Sequence, residues 1–188
     1  MKLIRTIALP VFSLIILSSS CKKHTVPPVS QLSLLPPATQ TGANTFGCLV
    51  NGKAFIPGGS LSLTPHTQCN YIYTAGGYYL TVSGNYKGSD GTITGIVFGT
   101  DSLAVDPGQL FLFNTNTPGN ASAFYNLAYA HGGITSYVTN SKVSGQLIIT
   151  KFDQSNQIIS GNFYFNAVDF SGDTVKITDG RFDMLYTR

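Results

Sequence analysis

Two neighbouring stretches decide the fold. Val143-Ser144-Gly145-Gln146-Leu147-Ile148-Ile149-Thr150-Lys151-Phe152 is followed, after Asp153–Gln157, by Ile158-Ile159-Ser160-Gly161-Asn162-Phe163-Tyr164-Phe165-Asn166-Ala167-Val168. Both are rich in β-branched and aromatic residues, which fit a pleated, half-buried surface, and the Asp/Ser/Asn-rich gap between them supplies turn chemistry. Thr174–Thr178 and Phe182–Tyr186 continue the series, with turns expected at Ser171–Asp173 and at Asp179-Gly180. The reading is an antiparallel meander. Ser144-Gly145-Gln146-Leu147-Ile148-Ile149 and Ser160-Gly161-Asn162-Phe163-Tyr164-Phe165 repeat one pattern sixteen residues apart, as adjacent strands do when they meet the same packing demand. Gly145 and Gly161 are expected side by side, where a strand bends or a ring lies across them.

Upstream, the same alternation of strand and turn holds. Phe46–Val50, Asn51-Gly52 and Lys53–Ile56 read as a hairpin, because Asn-Gly supplies the two positive φ angles of a tight primed turn. Leu61–Thr64, Tyr71–Thr74 and Tyr78–Ser83 are short strands, the last two separated at Gly76-Gly77. Thr92–Gly99 follows Asp90-Gly91, and Leu110–Phe113 follows the strong turn Asp106-Pro107-Gly108. Ala121–Ala130 fits either a helical turn after an Asn120 cap or an alternating strand, and is assigned as strand. About ten strands with short connections specify an all-β fold: an antiparallel β-sandwich over residues 45–188, with a partly open β-barrel as the alternative.

The N-terminus has a different character. Lys2 and Arg5 precede an apolar run from Ile7 to Leu17, and Ser18-Ser19-Ser20 leads into Cys21. A basic start, a short apolar core and small residues before a cut make residues 1–20 a secretory signal peptide. The cysteine at the cut resembles the lipidation site of bacterial lipoproteins, although Ser18 stands where their box usually has Leu. A run of eleven residues spans ~16 Å as a helix against the ~30 Å of a bilayer core, too few to cross. Two or three acyl chains on Cys21 would anchor the mature chain to a membrane. Residues 21–44, with Pro27-Pro28, Pro36-Pro37 and many Ser, Thr and Gln, read as a lipidated N-terminus and flexible spacer. As a coil the spacer would reach ~26 Å, lifting the body clear of the headgroups. The expected location is the cell envelope, at the outer membrane, with the periplasmic or surface face left open.

Composition narrows the function classes. Without residues 1–20 the chain carries nine Lys and Arg against eight Asp, and it has no Glu. A near-neutral chain without clustered cations does not suit nucleic acid. Cys48 and Cys69 are the cysteines of the body, and export places them where disulfides persist. A bridge between them would close a loop worth ~3 kcal/mol, while two separately buried thiols are the equal alternative. His66, Cys69, Cys48 and His131 lack the paired spacing of a zinc knuckle, so no metal or other cofactor is expected.

Aspartates cluster at turns (Asp90, Asp106, Asp153, Asp173, Asp179), where a carboxylate accepts backbone amides. Catalytic signatures such as Gly-x-Ser-x-Gly and His-Glu-x-x-His are missing, and the chain does not read as an enzyme. A hydrolase using two facing Asp carboxyls is the third-ranked reading. Tyr71, Tyr73, Tyr78, Tyr79 and Tyr86 crowd one region and form a candidate ligand-stacking face.

The lipoprotein start, the Pro-rich spacer, the opening Phe46-Gly47-Cys48-Leu49-Val50-Asn51-Gly52-Lys53, the pair of strands Gly145–Phe165 with Asp153 beyond the first, and the ending Ile177-Thr178-Asp179-Gly180-Arg181-Phe182-Asp183 together resemble a family of small lipoproteins of Bacteroidota, described as a domain of unknown function. The resemblance covers about 46–187. It implies a fold and no catalytic residues. The expected function is display and recognition by a membrane-anchored, non-enzymatic β-sandwich, with an envelope protein or a glycan as partner. A carbohydrate-binding module assisting glycan capture is the alternative.

Overall fold

A computed structural model describes residues 29–61 and 65–188. The signal peptide 1–20, Cys21 and the first part of the spacer lie outside the described residues, as do three of the four positions of the strand expected at Leu61–Thr64. Twelve strands follow a 3-10 turn at Gln31–Leu34: β1 Thr45–Val50, β2 Lys53–Phe55, β3 Gly58–Gly59, β4 Thr67–Thr74, β5 Gly77–Lys87, β6 Ile93–Thr100, β7 Leu110–Phe113, β8 Ala121–Ala128, β9 Ile134–Val138, β10 Gly145–Asp153, β11 Ile158–Val168 and β12 Thr174–Leu185. The described residues contain no α-helix, and no helix among them is long and apolar enough to cross a membrane.

The strands form one mixed sheet in the order β2-β1-β12-β11-β10-β7-β8-β6-β5-β3, with β4 on β5 and β9 between β8 and β11. It folds over on itself as a sandwich rather than closing as a clean barrel. Phe46 of β1, Phe163 of β11 and Phe182 of β12 meet Phe98 of β6 across the core at centroid distances of 6.1, 4.4 and 5.5 Å. Leu147, Ile149, Phe165 and Ile177 from one layer and Leu80, Val82 and Ile96 from the other complete the buried centre. Alternation along β10 and β11 sends these side chains inward and leaves Gln146, Ile148, Asn162 and Tyr164 outward.

Several sequence expectations are corrected. Pairing is antiparallel except for β7–β8 and β3–β5, which run parallel. The strand assigned at Ala121–Ala130 does form, over Ala121–Ala128, and pairs with β6 along its whole length. Asp179-Gly180 does not turn the chain: β12 runs on through it as a bulge, with Asp179 at φ 54° and the register shifting opposite Phe163–Phe165. The extra residue re-aims Arg181, Phe182 and Asp183. Gly145 faces Phe165 and Gly161 faces Ile149, so the two glycines are not side by side. Gly161 does lie under a ring, since a Cβ there would sit 2.7 Å from Phe182 Cε1.

The spacer is corrected too. From Gln31 onward it is laid against the sandwich. Leu35 is buried, Gln31 Oε1 accepts the Ala54 N–H of β2 at 3.0 Å, and the ring of Pro36 covers Gly47 of β1. Leu32 and Leu34 stay about half exposed, so Leu35 is the leucine that the sheet face receives.

Candidate functional site

β4 and β5 are joined by the two-residue turn Ala75-Gly76, both at positive φ (49° and 83°), one residue earlier than the expected Gly76-Gly77 break. That turn sets Tyr73 opposite Tyr78 and Tyr71 opposite Leu80. Tyr71, Tyr73 and Tyr78 therefore share the inward face of the hairpin. They sit at its tip, where the core runs out.

Tyr71 and Tyr78 stack at 5.2 Å with 9° between their planes, and Tyr73 lies 4.8 Å from Tyr78. Phe152 at the end of β10 and Tyr186 after β12 meet Tyr71 edge-on at 5.0 and 5.9 Å. Edge-to-face and offset contacts of this kind each stabilise by about 0.5–1.5 kcal/mol beyond their burial. Tyr71 is the buried keystone. Its hydroxyl accepts the Val105 N–H at 3.3 Å, and desolvation pushes its pKa above the ordinary tyrosine value.

Outside this support a cleft of about 480 Å³ opens at one end of the sandwich. Tyr73 is 64% exposed and Tyr78 41%, while Asp106, Gln154 and Arg188 supply its polar lining. The Arg188 guanidinium donates to the Gln154 carbonyl at 2.8 Å, which holds it beside the opening. Aromatic faces beside a carboxylate, an amide and a guanidinium can stack on an apolar ring face and bond its hydroxyls.

The five candidate tyrosines are thus divided. Tyr79 points to the outer face, where its hydroxyl accepts the Ser102 hydroxyl at 2.9 Å. Tyr86 lies at the far end of β5, opposite Thr94 and Gly58. Phe152, Tyr186, Asp106, Gln154 and Arg188 were missed, because they reach the cleft from distant strands and loops and carry no local signal.

Cys48 and Cys69 are two buried free thiols, on β1 and β4, which are not neighbours in the sheet. Desolvation pushes Cys69 up to about 12 and Cys48 higher still. The candidate disulfide is absent. Each sulfur instead packs into the hydrophobic core. His66 lies on the surface, Nε2 hydrogen-bonding the Gly59 carbonyl at 3.2 Å. Among the described residues no three His, Cys or Asp side chains gather where they could hold a metal ion.

Turn aspartates accept backbone amides: Asp90 from Thr92, Asp153 from Asn156, Asp169 from Ser171 and Asp173. Asp183 is different. Only 1% exposed, it accepts from the Thr39 hydroxyl at 2.6 Å, the N–H groups of Thr41, Gly42 and Ala43, and the Ser160 hydroxyl at 2.8 Å. Burial opposes its ionisation, but these donors outweigh burial and hold the carboxyl well below the usual carboxylate range. It is the clasp of the N-terminal segment.

The fold defines an all-β domain of the sandwich type. Residues 75–185, from the β4–β5 turn to the end of β12, match the family described as Domain of unknown function (DUF6252), and the chain belongs to that family. No curated protein and no solved structure matches the chain.

Proposed function

We propose that this chain is a lipid-anchored lipoprotein of the cell envelope of Bacteroidota, attached through Cys21 and working by recognition rather than catalysis, with an envelope protein as partner. The observation that carries the recognition reading is the pair of exposed rings, Tyr73 and Tyr78, held 4.8 Å apart over an open cleft by a buried aromatic support. Rigid aromatic side chains with polar groups beside them lose little entropy when a partner covers them. The aspartates favour recognition over hydrolysis. The cleft is lined by one carboxylate, Asp106, while Asp90, Asp153, Asp169 and Asp183 are engaged with backbone amides. Metabolic labelling with a clickable palmitate analogue tests the anchor. Wild type should label and the Cys21→Ala variant should not; an unlabelled, soluble wild type ends the reading.

A second reading is favoured by the make-up of the same cleft: a carbohydrate-binding module taking neutral sugar rings on Tyr73 and Tyr78. Stacking supplies the apolar contact, and Asp106, Gln154 and Arg188 supply bonds to hydroxyls. A glycan array probed with wild type and Tyr73→Ala decides between the readings. A signal lost in the variant supports a glycan, and a blank array at high protein concentration returns the cleft to a protein partner.

A further inference from the structure

The outward face of the layer β7-β10-β11-β12 carries exposed large apolar side chains among its polar ones. Two rows cross it. Leu110 of β7 stands opposite Ile148 of β10, which stands opposite Asn162 of β11 and then Arg181 of β12; Leu112 stands opposite Gln146 and then Tyr164. Leu112 is 69% exposed, and Leu110 and Tyr164 are about half exposed. Beyond Arg181 the row reaches Gly47 and disappears under Pro36 of the docked segment. Between the segment and the bare strands lies an open groove of about 480 Å³, shared by Leu32, Ile148, Tyr164, Asp179 and Arg181. Leu32 adds an exposed apolar side chain at the groove. Leu110, Leu112, Ile148 and Tyr164, gathered on neighbouring strands, mark a contact with something.

The path of the chain says what that contact is. The first contact of the segment with the sandwich is made by Gln31, so residues 22–30 separate it from Cys21. Ten Cα–Cα steps reach at most about 36 Å even fully extended, and ~17 Å on average as a coil. A domain of about 150 residues is roughly 38 Å across, taking it as a sphere with the usual radius of gyration. The tether is therefore shorter than the body it holds. Lys22 and Lys23 lie next to the anchor and suit anionic headgroups.

From this we infer that the face of Leu110, Leu112, Ile148, Tyr164 and Leu32 is a lipid-contact surface. The domain lies on the bilayer with its apolar rows in the headgroup region, instead of standing clear of it. An apolar patch and a covalent lipid act as two membrane signals in concert. The inference rests on the anchored reading and adds the orientation to it. It also leaves the aromatic cleft, at one end of the sandwich, open to solvent.

The chain has no Trp, so a single introduced one reports position. Full-length lipidated Leu112→Trp is compared with Thr81→Trp, placed on the exposed outer side of β5 in the opposite layer. Both are incorporated into vesicles of phosphatidylethanolamine and phosphatidylglycerol, with and without brominated acyl chains. The Leu112→Trp emission should shift to the blue and be quenched severalfold more than that of Thr81→Trp. Equal quenching in protein that floats with the vesicles overturns the face and leaves the anchor standing. Protein that fails to float overturns both. A blue shift that grows with protein concentration in detergent without vesicles assigns the face to a second copy of the chain, and overturns the lipid contact.

Discussion

The carboxylate of Asp183 accepts the backbone N–H of Gly42 at 2.8 Å across 141 positions of sequence. This bond and its companions from Thr39, Thr41 and Ala43 turn a Pro-rich strap into part of the domain. Asp183→Ala should cost about 3 kcal/mol, because it strands several buried donors at once. The pH response follows from the lowered folded-state pKa. The stabilisation is fully present above the unfolded aspartate value of about 4 and is lost progressively as pH falls below it. Urea melts at neutral and acid pH measure this. Asp183→Asn should flatten the difference between them, and a variant as acid-sensitive as wild type would refute the clasp.

Cys48 and Cys69 make a second test. Two buried thiols with raised pKa values are poor nucleophiles. Iodoacetamide at mild alkaline pH should leave Cys48 and Cys69 of the folded protein unmodified and alkylate both once urea is present. Non-reducing peptide mapping that finds a 48–69 crosslink would contradict this geometry.

Gly161 tests the core. Its inward side is filled by the Phe182 ring and by the Ile148 carbonyl, 2.5 Å from where a Cβ would be. Gly161→Ala should destabilise by about 1–3 kcal/mol through overpacking, as a drop in the thermal midpoint. Gly76→Ala, with open space but φ of 83°, should lose less, and only through backbone strain.

The tyrosines separate support from contact. Tyr71→Ala removes a buried ring touching Tyr78, Phe152 and Tyr186, and should cost about 3–5 kcal/mol. Tyr73→Ala should leave the melting curve nearly unchanged while abolishing ligand binding. Calorimetry and a binding assay on both variants check the division, and a Tyr73→Ala variant that binds like wild type removes the cleft as the site.

By itself the amino-acid order determined most of the strands and most of their turns. Asn51-Gly52, Asp90-Gly91 and Asp106-Pro107-Gly108 act within a few residues, and β-branched and aromatic runs prefer extended backbone wherever they end up. It also placed Tyr71, Tyr73 and Tyr78 near one another, because a hairpin is a local object. It did not determine the bulge at Asp179-Gly180, since a turn and a bulge ask for the same backbone freedom and only the neighbouring strands choose between them. Nor did it show β9, the pairing of β7 with β8, or the docking of residues 31–44. A segment with few apolar residues looks like a linker until a sheet face appears that can bury Leu35 and a carboxylate that can take its amides. Phe152, Tyr186 and Arg188 entered the cleft for the same reason: long-range contact is a property of the folded sheet, and no short stretch of chain carries it.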